Sequence, residues 1–293
     1  MNVLITGSHG FVGRAFRRFL EQDVNLTLVD LKAGTDCRKF FQLEKKQYDL
    51  VLHCAAVVGG RMKIENEPLD LAVDLAIDAE FAMWAMRTKQ PSVVYFSSSA
   101  AYPIALQTHS KRHKLKEKDI DFKKIGLPDF TYGWTKLTGE VLMNYLRAEG
   151  TNVLTVRPFS GYGTDQDKDY PFPAIIERAI MNRNPFEIWG SHRTTRDFIH
   201  IDDIVGAVIT MVKNHTNQTI NLCTGRPTTF MQLAVMALKT LGYDKTSKTN
   251  FKVLEDKPIG CAYRVGDPTM MSDYYTPQIS LEEGVERAIK GIV

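Results

Sequence analysis

Short apolar runs alternate with longer stretches of helical spacing through the first half of the chain. The runs predict strands at residues 3–6, 26–29, 50–53, 93–96 and 152–156. The helical spacing predicts helices at 12–22, at 69–88 with Pro68 near its start, and from about Tyr132 through 141–148. Because strand and helix alternate regularly, we expect an α/β fold in which a parallel sheet carries helices on both faces.

The second half of the chain is less regular. It predicts strands at 198–201 and 219–222 and helices at 173–181, 204–213 and 281–290. Asp202 and Asp203 are expected to cap the helix at 204–213. The polar, lysine-rich stretch 107–124 is interpreted as a solvated surface loop in preference to a substrate-binding segment.

Composition and charge exclude several classes of protein. The 293 residues suffice for a full hydrophobic core, and a net charge of +3 is too small to indicate a nucleic-acid or membrane partner. No apolar run reaches the roughly 20 residues of a membrane span, and glycines interrupt the apolar N-terminus, so no signal peptide is expected. The scattered cysteines indicate reduced thiols of a cytoplasmic protein, with no disulfide framework and no metal site.

A glycine-rich turn follows the first predicted strand and opens the first helix. Its glycines, Gly7, Gly10 and Gly13, are suited to a sharp turn, to a close approach of a pyrophosphate, and to tight packing of helix on strand. The start of the helix, at Phe11 and Val12, offers free N–H groups and a partial positive charge to phosphates. The pattern therefore predicts a dinucleotide site.

An acidic residue stands at the end of the second predicted strand. The carboxylate of Asp30 can accept hydrogen bonds from the adenosine ribose hydroxyls and would repel a 2′-phosphate, so it favours NAD over NADP. The alternative is a helix-capping or surface aspartate.

Tyr132 and Lys136 are four residues apart, so on a helix they share one face. A nearby ammonium stabilises a phenolate, which would let the tyrosine take a sugar hydroxyl proton while hydride leaves the same carbon. A serine run, 97–99, directly follows the fourth predicted strand. Because ligands bind at the carboxyl ends of parallel strands, we expect a serine hydroxyl to meet the substrate oxygen there.

Together these motifs resemble an extended short-chain dehydrogenase/reductase of the NAD-dependent epimerase/dehydratase family. The resemblance covers nearly the whole chain in order. It rests on the glycine turn, Asp30, Asp36-Cys37, His53-Cys-Ala-Ala56, Phe96-Ser-Ser-Ser99, Tyr102-Pro103, Tyr132-Gly-Trp-Thr-Lys136, Gly139-Glu140, Arg157-Pro-Phe159, Gly161-Tyr-Gly163 and Arg196-Asp-Phe-Ile-His-Ile-Asp-Asp203.

The resemblance implies a Rossmann-type doubly wound parallel sheet that binds NAD, formed by residues 1–160 with a return of the chain at about 197–224. Residues 161–196 and 225–293 are then the smaller α/β domain, which binds a nucleotide sugar. The cofactor-binding residues implied are Gly7, Gly10, Phe11, Val12, Asp30, Asp36 and Cys37 beside the adenine, Ala55, Ala56, Lys136 and Pro158.

The resemblance also assigns roles around the substrate. Ser98 becomes the catalytic hydroxyl, because it lies four residues before the tyrosine of the Tyr-Pro pair, with Ser99 as the alternative. Arg196 and Arg264 resemble positions that hold the substrate diphosphate, and the alternative for each is a surface ion pair. Trp189 is a candidate to stack a nucleobase, with core packing as an equal alternative.

Three departures from the family pattern narrow the reaction. The family's dehydratases usually have an acidic residue soon after the catalytic hydroxyl. Here Ser99, Ala100 and Ala101 follow Ser98, which argues against dehydration. The layout is nearest the branch of GDP-fucose synthase and GDP-mannose 3,5-epimerase, but Ala100 stands in place of that branch's cysteine, and segment 169–173 lacks its histidine. Ser160 replaces the asparagine that the family usually has near the diphosphate, so the asparagine contact does not carry over to this chain.

The remaining chemistry needs only a serine, a tyrosine, a lysine and NAD. The favoured function is a nucleotide-sugar 4-epimerase, which oxidises a hydroxyl to a transient ketone and reduces it again. The alternatives are a dehydrogenase or 4-ketoreductase with net hydride transfer, and a non-catalytic NAD-binding protein. The resemblance makes GDP a mild favourite over UDP, dTDP and CDP. It also implies that the helix around Met83 and Met86 pairs with the Tyr132 helix of a second subunit in a four-helix homodimer contact, and the alternative is a helix buried within one chain.

Overall fold

The computed structural model of the chain describes residues 1–67, 69, 72–243 and 249–292. Its strands are β1 (Asn2–Thr6), β2 (Asn25–Val29), β3 (Leu50–His53), β4 (Ser92–Phe96), β5 (Lys114–Leu115), β6 (Asn152–Pro158), β7 (Ser160–Tyr162), β8 (Phe186–Trp189), β9 (Thr195–Arg196), β10 (Phe198–His200), β11 (Thr219–Leu222), β12 (Thr228–Thr229), β13 (Phe251–Leu254) and β14 (Tyr263–Gly266).

The α-helices follow the strands in the expected alternation. They are α1 (Phe11–Leu20), α2 (Cys37–Leu43), α3 (Arg61–Asn66), α4 (Ala72–Arg87), α5 (Phe130–Ala148), α6 (Pro171–Ile180), α7 (Ile201–Lys213), α8 (Phe230–Thr240), α9 (Thr269–Ser272) and α10 (Leu281–Ile292). Pro68, expected near the start of a helix at 69–88, lies outside the described residues, and α4 begins at Ala72. The short helix α3 was not predicted.

Six parallel strands form the central sheet, in the order β11-β6-β4-β3-β1-β2. Alternate residues of β1 point to opposite faces: Val3 belongs to the core that α1 and α7 cover, and Leu4 to the core that α2, α4 and α5 cover. The doubly wound α/β fold is therefore confirmed. The carboxyl ends of β1, β3 and β4 meet at one edge, where the first predicted site residues lie.

The rest of the chain packs around a second core. Helices α6, α8 and α10 bury Ile176, Leu233 and Val285 together with Phe186 and Ile188 of β8. Short strands surround this core: β13 pairs with β8, and β14 lies between β9 and β5. The exact division into two domains stays a prediction.

Two local expectations were wrong. The N-cap of α7 is His200, whose Nδ1 accepts the N–H of Asp202 at 3.2 Å, so the carboxylates at 202 and 203 do not cap this helix. Asp203 instead accepts the Tyr275 hydroxyl at 2.9 Å. The stretch 107–124 is more than a solvated loop, because its strand β5 pairs with β14 and Leu115 is fully buried.

Within the described part of the chain, no helix combines the length and the apolar composition that a bilayer crossing requires.

Candidate active site

The glycine turn brings three segments of backbone into close contact. Gly7 has φ +68°, and a Cβ there would lie 2.6 Å from the Ala55 nitrogen, so this position needs glycine on both counts. A Cβ at Gly13 would overlap the Gly7 carbonyl oxygen, which ties α1 closely to the turn. The N-cap residue Gly10 contributes no side-chain cap. The first N–H groups of α1, near Phe11, are therefore not taken up by a capping side chain, which suits a phosphate.

Asp30 directly follows β2 beside this turn and is mostly buried. Its Oδ2 accepts the His9 N–H at 2.8 Å and its Oδ1 accepts the Lys32 N–H at 2.7 Å. The capping role considered as the alternative is thus present. Each carboxylate oxygen keeps a second acceptor position, so the same side chain can also receive ribose hydroxyls.

The other expected cofactor residues lie in α1, at the start of α2, after β3 and at the end of β6. Asp36 caps α2 and pairs with Arg38 at 2.6 Å, and this guanidinium lowers the pKa of the Asp36 carboxyl. Cys37 is buried, which raises the pKa of its thiol to about 11 and leaves it unreactive at neutral pH. Ala55 and the adjacent Ala56 follow β3, Val12 lies in the first turn of α1, and Pro158 ends β6.

Helix α5 carries the proposed catalytic pair. Tyr132 and Lys136 lie one turn apart near its start, with the buried Lys136 Nζ 6.0 Å from the centre of the Tyr132 ring. The Ser98 side chain makes a hydrogen bond with Tyr132 and also accepts the Ala100 N–H at 3.1 Å. Ser99 is buried at the start of a 3₁₀ turn. The structure therefore brings Ser98, Tyr132 and Lys136 together.

Burial and charge act in opposite directions on this pair. Desolvation raises the pKa of Tyr132, while the Lys136 ammonium and the Ser98 hydrogen bond oppose the rise. Desolvation lowers the pKa of Lys136, but the carboxylates of Asp78 and Asp74 outweigh it and the net shift is upward. At neutral pH the pair is consequently a protonated phenol beside a charged ammonium.

The two carboxylates of α4 are functional-site neighbours that the sequence analysis missed. Asp78 accepts the Tyr95 hydroxyl at 2.6 Å and lies 3.2 Å from the His53 Nε2. Asp74 accepts the Val57 N–H at 2.5 Å. The available signal was a pair of acids at i and i+4 in a mostly apolar helix, a spacing that puts both on one face.

An arginine cluster lies before the start of α5. Asp129, the N-cap residue, receives Arg264 Nη2 at 2.6 Å and Arg61 Nη1 at 2.8 Å, so its carboxylate is held between two guanidiniums. Arg196 is buried and donates to the carbonyl oxygen of Ile259 at 2.6 Å. Neither predicted diphosphate ligand is in a surface ion pair. Arg61 was not predicted; it follows a Gly-Gly pair directly, which was its only signal.

Comparison with known proteins identifies the family. The family model described as "NAD dependent epimerase/dehydratase family" matches residues 3–223. The chain belongs to this family. It is therefore an enzyme of the NAD-dependent type on a Rossmann fold, as the motifs indicated.

Relatives that match over nearly their full length include dTDP-4-dehydro-6-deoxy-D-allose reductase of Streptomyces bikiniensis, 27% identical over 98% of this chain and 95% of the relative. GDP-L-fucose synthase of Sinorhizobium fredii is 24% identical over 99% and 95%. Among solved structures, UDP-glucuronic acid 4-epimerase from Bacillus cereus superposes with a TM-score of 0.81 at 22% identity, covering 100% of both chains. That likeness shows the fold.

Trp189 and Ser160 are the two remaining residues that were predicted to contact the substrate. Trp189 ends β8, with Arg178 and Lys257 over its ring at 5.8 and 5.9 Å. Ser160 begins β7, and its N–H donates to the Asp197 carbonyl oxygen at 2.9 Å. Their roles toward a substrate stay predictions.

Proposed function

We propose that the protein transfers a hydride between NAD and C4 of a sugar carried on a nucleotide diphosphate, and that its main reaction is the reduction of a 4-keto sugar. The observation that carries this proposal is the group formed by half-buried Ser98 and Tyr132 and buried Lys136 at the carboxyl edge of the sheet. A phenol that keeps its proton at neutral pH is the donor that reduction of a ketone needs.

The side chains divide the chemistry between them. The bound dinucleotide supplies the hydride, and its phosphates fit the uncapped start of α1 after the glycine turn. Ser98 holds the ketone oxygen by a hydrogen bond, and Tyr132 gives that oxygen its proton. Lys136 stabilises the phenolate left behind, since a buried ammonium at this distance offsets part of the charge.

The arginines supply the anion-binding part of the proposed site. Arg196 is buried and Arg264 mostly buried, with Asp129 as the carboxylate between Arg264 and Arg61. Three guanidiniums and one carboxylate leave an excess of positive charge, which a substrate diphosphate would balance. We assign Trp189 to the nucleobase and Ser160 to the region near the diphosphate. GDP and dTDP are the first nucleotides to test, because the names of relatives include them.

Net reduction is favoured over epimerisation because the reductase relatives match over nearly their whole length. Ala100, in place of a cysteine, leaves the site without the group expected for 3,5-epimerisation. The 4-epimerase expected from the sequence is the second candidate. Asp30 favours it, since an epimerase retains NAD and a biosynthetic reductase often uses NADPH.

The deciding experiment follows cofactor and sugar together. The purified protein is incubated with NADH or NADPH and 4-keto-6-deoxy sugars on GDP or dTDP, and separately with NAD and 4-hydroxy sugars on GDP, UDP, dTDP and CDP. Stoichiometric loss of NADH with a new 4-hydroxy sugar supports the reductase. Equilibration of C4 epimers without net cofactor change supports the epimerase. No reaction on any sugar, with Tyr132→Phe equally silent, would overturn both in favour of a non-catalytic NAD-binding protein.

We also propose a homodimer through α4 and α5. Large apolar side chains are exposed on these helices, among them Met83 and Met86 on α4 and Trp134 and Tyr145 on α5. Sedimentation analysis of Met83→Asp tests this, with exposed Met181→Asp, directly after α6, as the control. A monomeric wild type contradicts the proposal.

A further inference from the structure

Two carboxylates lie inside the protein on one face of α4. Asp74 and Asp78 are one helical turn apart and are 0% and 1% exposed. Ionised carboxylates are rarely buried this completely unless each oxygen has a partner. Both carboxylates therefore require polar partners inside the protein.

Asp78 is fully engaged. One oxygen accepts the Tyr95 hydroxyl at 2.6 Å and the other lies 3.2 Å from the His53 Nε2, whose ring is held from the other side by Thr6 at 2.8 Å. Gly139 on α5 allows this approach, since a Cβ there would collide with the Tyr95 hydroxyl. The Asp78 carboxylate therefore holds Tyr95 and His53 in place.

Asp74 is only half engaged. Its Oδ1 accepts the Val57 N–H at 2.5 Å, but its Oδ2 is buried and has no hydrogen-bond partner among the described residues. Burial raises the pKa of this carboxyl to about 6, although the Lys136 ammonium opposes the rise. Burying a charged carboxylate with one unpaired oxygen costs folding free energy, and such costs are typical of functional sites. The charge of Asp74 acts on Lys136 of α5.

Building on the proposed function, we propose that Asp74 is a positioning residue that sets the charge around Lys136 and Tyr132, and thereby the pH at which Tyr132 exchanges its proton. Charged Asp74 stabilises the Lys136 ammonium and disfavours a Tyr132 phenolate. It therefore keeps Tyr132 in the protonated form that donates to the substrate oxygen.

Other groups face the same space. Asp78 on α4 and Tyr95 on β4 interact electrostatically with Asp74, and Ser98 and Arg264 act on Tyr132. His53 and Cys54 face Lys136; burial lowers the pKa of the imidazole and raises that of the thiol, so both are neutral near neutral pH. Ser98 carries no charge and an arginine keeps its charge throughout the neutral range. A break near pH 6 that vanishes when Asp74 alone is neutralised can therefore be assigned to Asp74.

The first test needs no substrate. Protein labelled with ¹³C at the aspartate carboxyl carbons is titrated by NMR from pH 4.5 to 8, and the Asp74 signal is identified by its loss in Asp74→Asn. We expect this carboxyl to titrate near pH 6. A carboxyl that titrates near the usual value of about 4 overturns the proposal, whether or not the protein reduces any sugar.

The second test compares pH profiles of ketone reduction. Asp74→Asn keeps the acceptor for Val57 but removes the charge, so its rate should match wild type below pH 6. Above pH 6 the two rates should separate, because only the wild type then gains the carboxylate charge near Lys136 and Tyr132. Asp78→Asn keeps Asp74, so its own pH profile should retain a break, displaced below pH 6 because the Asp78 carboxylate no longer raises the pKa of Asp74. A constant ratio of Asp74→Asn to wild type across the pH range contradicts the proposal. If the titration is as expected and wild type reduces no sugar, only the proposed function fails.

Discussion

Arg264 and Asp129 form a mostly buried ion pair, with Nη2 2.6 Å from Oδ2, directly before the helix that carries Tyr132. Arg61 holds the other carboxylate oxygen at 2.8 Å. The carboxylate thus joins residues that are 68 and 135 positions away in sequence to the start of α5. This contact fixes the N-terminus of α5, the helix that carries the proposed catalytic pair.

Asp129→Asn should cost about 3 kcal/mol of unfolding free energy, because it leaves two largely buried guanidiniums without their carboxylate. Burial raises the pKa of Asp129, but Arg264 and Arg61 outweigh it and the net shift is downward. The stability from this group is therefore present above the ordinary carboxyl pKa of about 4 and is lost below it. Urea denaturation at pH 7 and pH 3 measures both effects.

The control for this prediction is Glu283→Gln, which removes an exposed pair with Arg287 and should cost less than about 1 kcal/mol. Equal losses for the two variants at pH 7 would show that the Asp129 contacts do not stabilise the fold.

Arg264→Ala should raise KM for the nucleotide sugar about tenfold or more while kcat changes little, because a diphosphate contact contributes to binding before the reaction and in the transition state alike. Initial-rate kinetics measure both constants. The matched control is the exposed Arg193→Ala. A fall in kcat with an unchanged KM would instead place Arg264 in support of Tyr132.

Tyr132→Phe should lower kcat by about 10²–10⁴-fold, since it removes the proton donor without changing the packing of the ring. Ser98→Ala should lower kcat as well. Tyr145→Phe, on the exposed side of the same helix, should retain wild-type activity. Circular dichroism of each variant checks the fold, and a wild-type rate for Tyr132→Phe would remove the tyrosine from the mechanism.

Asp30→Asn should shift cofactor preference toward NADP(H) by about tenfold or more, because it removes a charge that repels the 2′-phosphate. The amide oxygen can still accept one N–H of the turn, from His9 or Lys32, so the loop should persist. The ratio of kcat/KM for NADH and NADPH reports the change. An unaltered ratio would mean that this carboxylate serves only the backbone of the turn.

Local patterns predicted the sheet well. The strands at Leu50–His53 and Thr219–Leu222 have the predicted bounds, since continuous apolar runs identify buried parallel strands. The glycine turn and the pair on α5 were also visible, because their spacing within a few residues determines their geometry.

Long-range contacts could not be predicted in the same way. The Asp129 cluster joins residues far apart in sequence, and no period or motif connects them. Asp74 was overlooked because an acid on a helix is usually exposed, whereas here the packing of α4 on α5 buries it. Leu115 was assigned to a surface loop because the surrounding lysines make the stretch 107–124 look fully exposed, although Gln107, Leu115 and Ile120 are buried.

Transfer of deuterium from the cofactor tests the central claim most directly. The protein is incubated with NADH deuterated at the transferred position of C4 and with a 4-keto-6-deoxy nucleotide sugar, and the product is examined by proton and deuterium NMR. We predict one deuterium at C4 of the sugar, and its absence with Tyr132→Phe. Deuterium at another carbon, or a sugar product without deuterium, would contradict hydride transfer at C4.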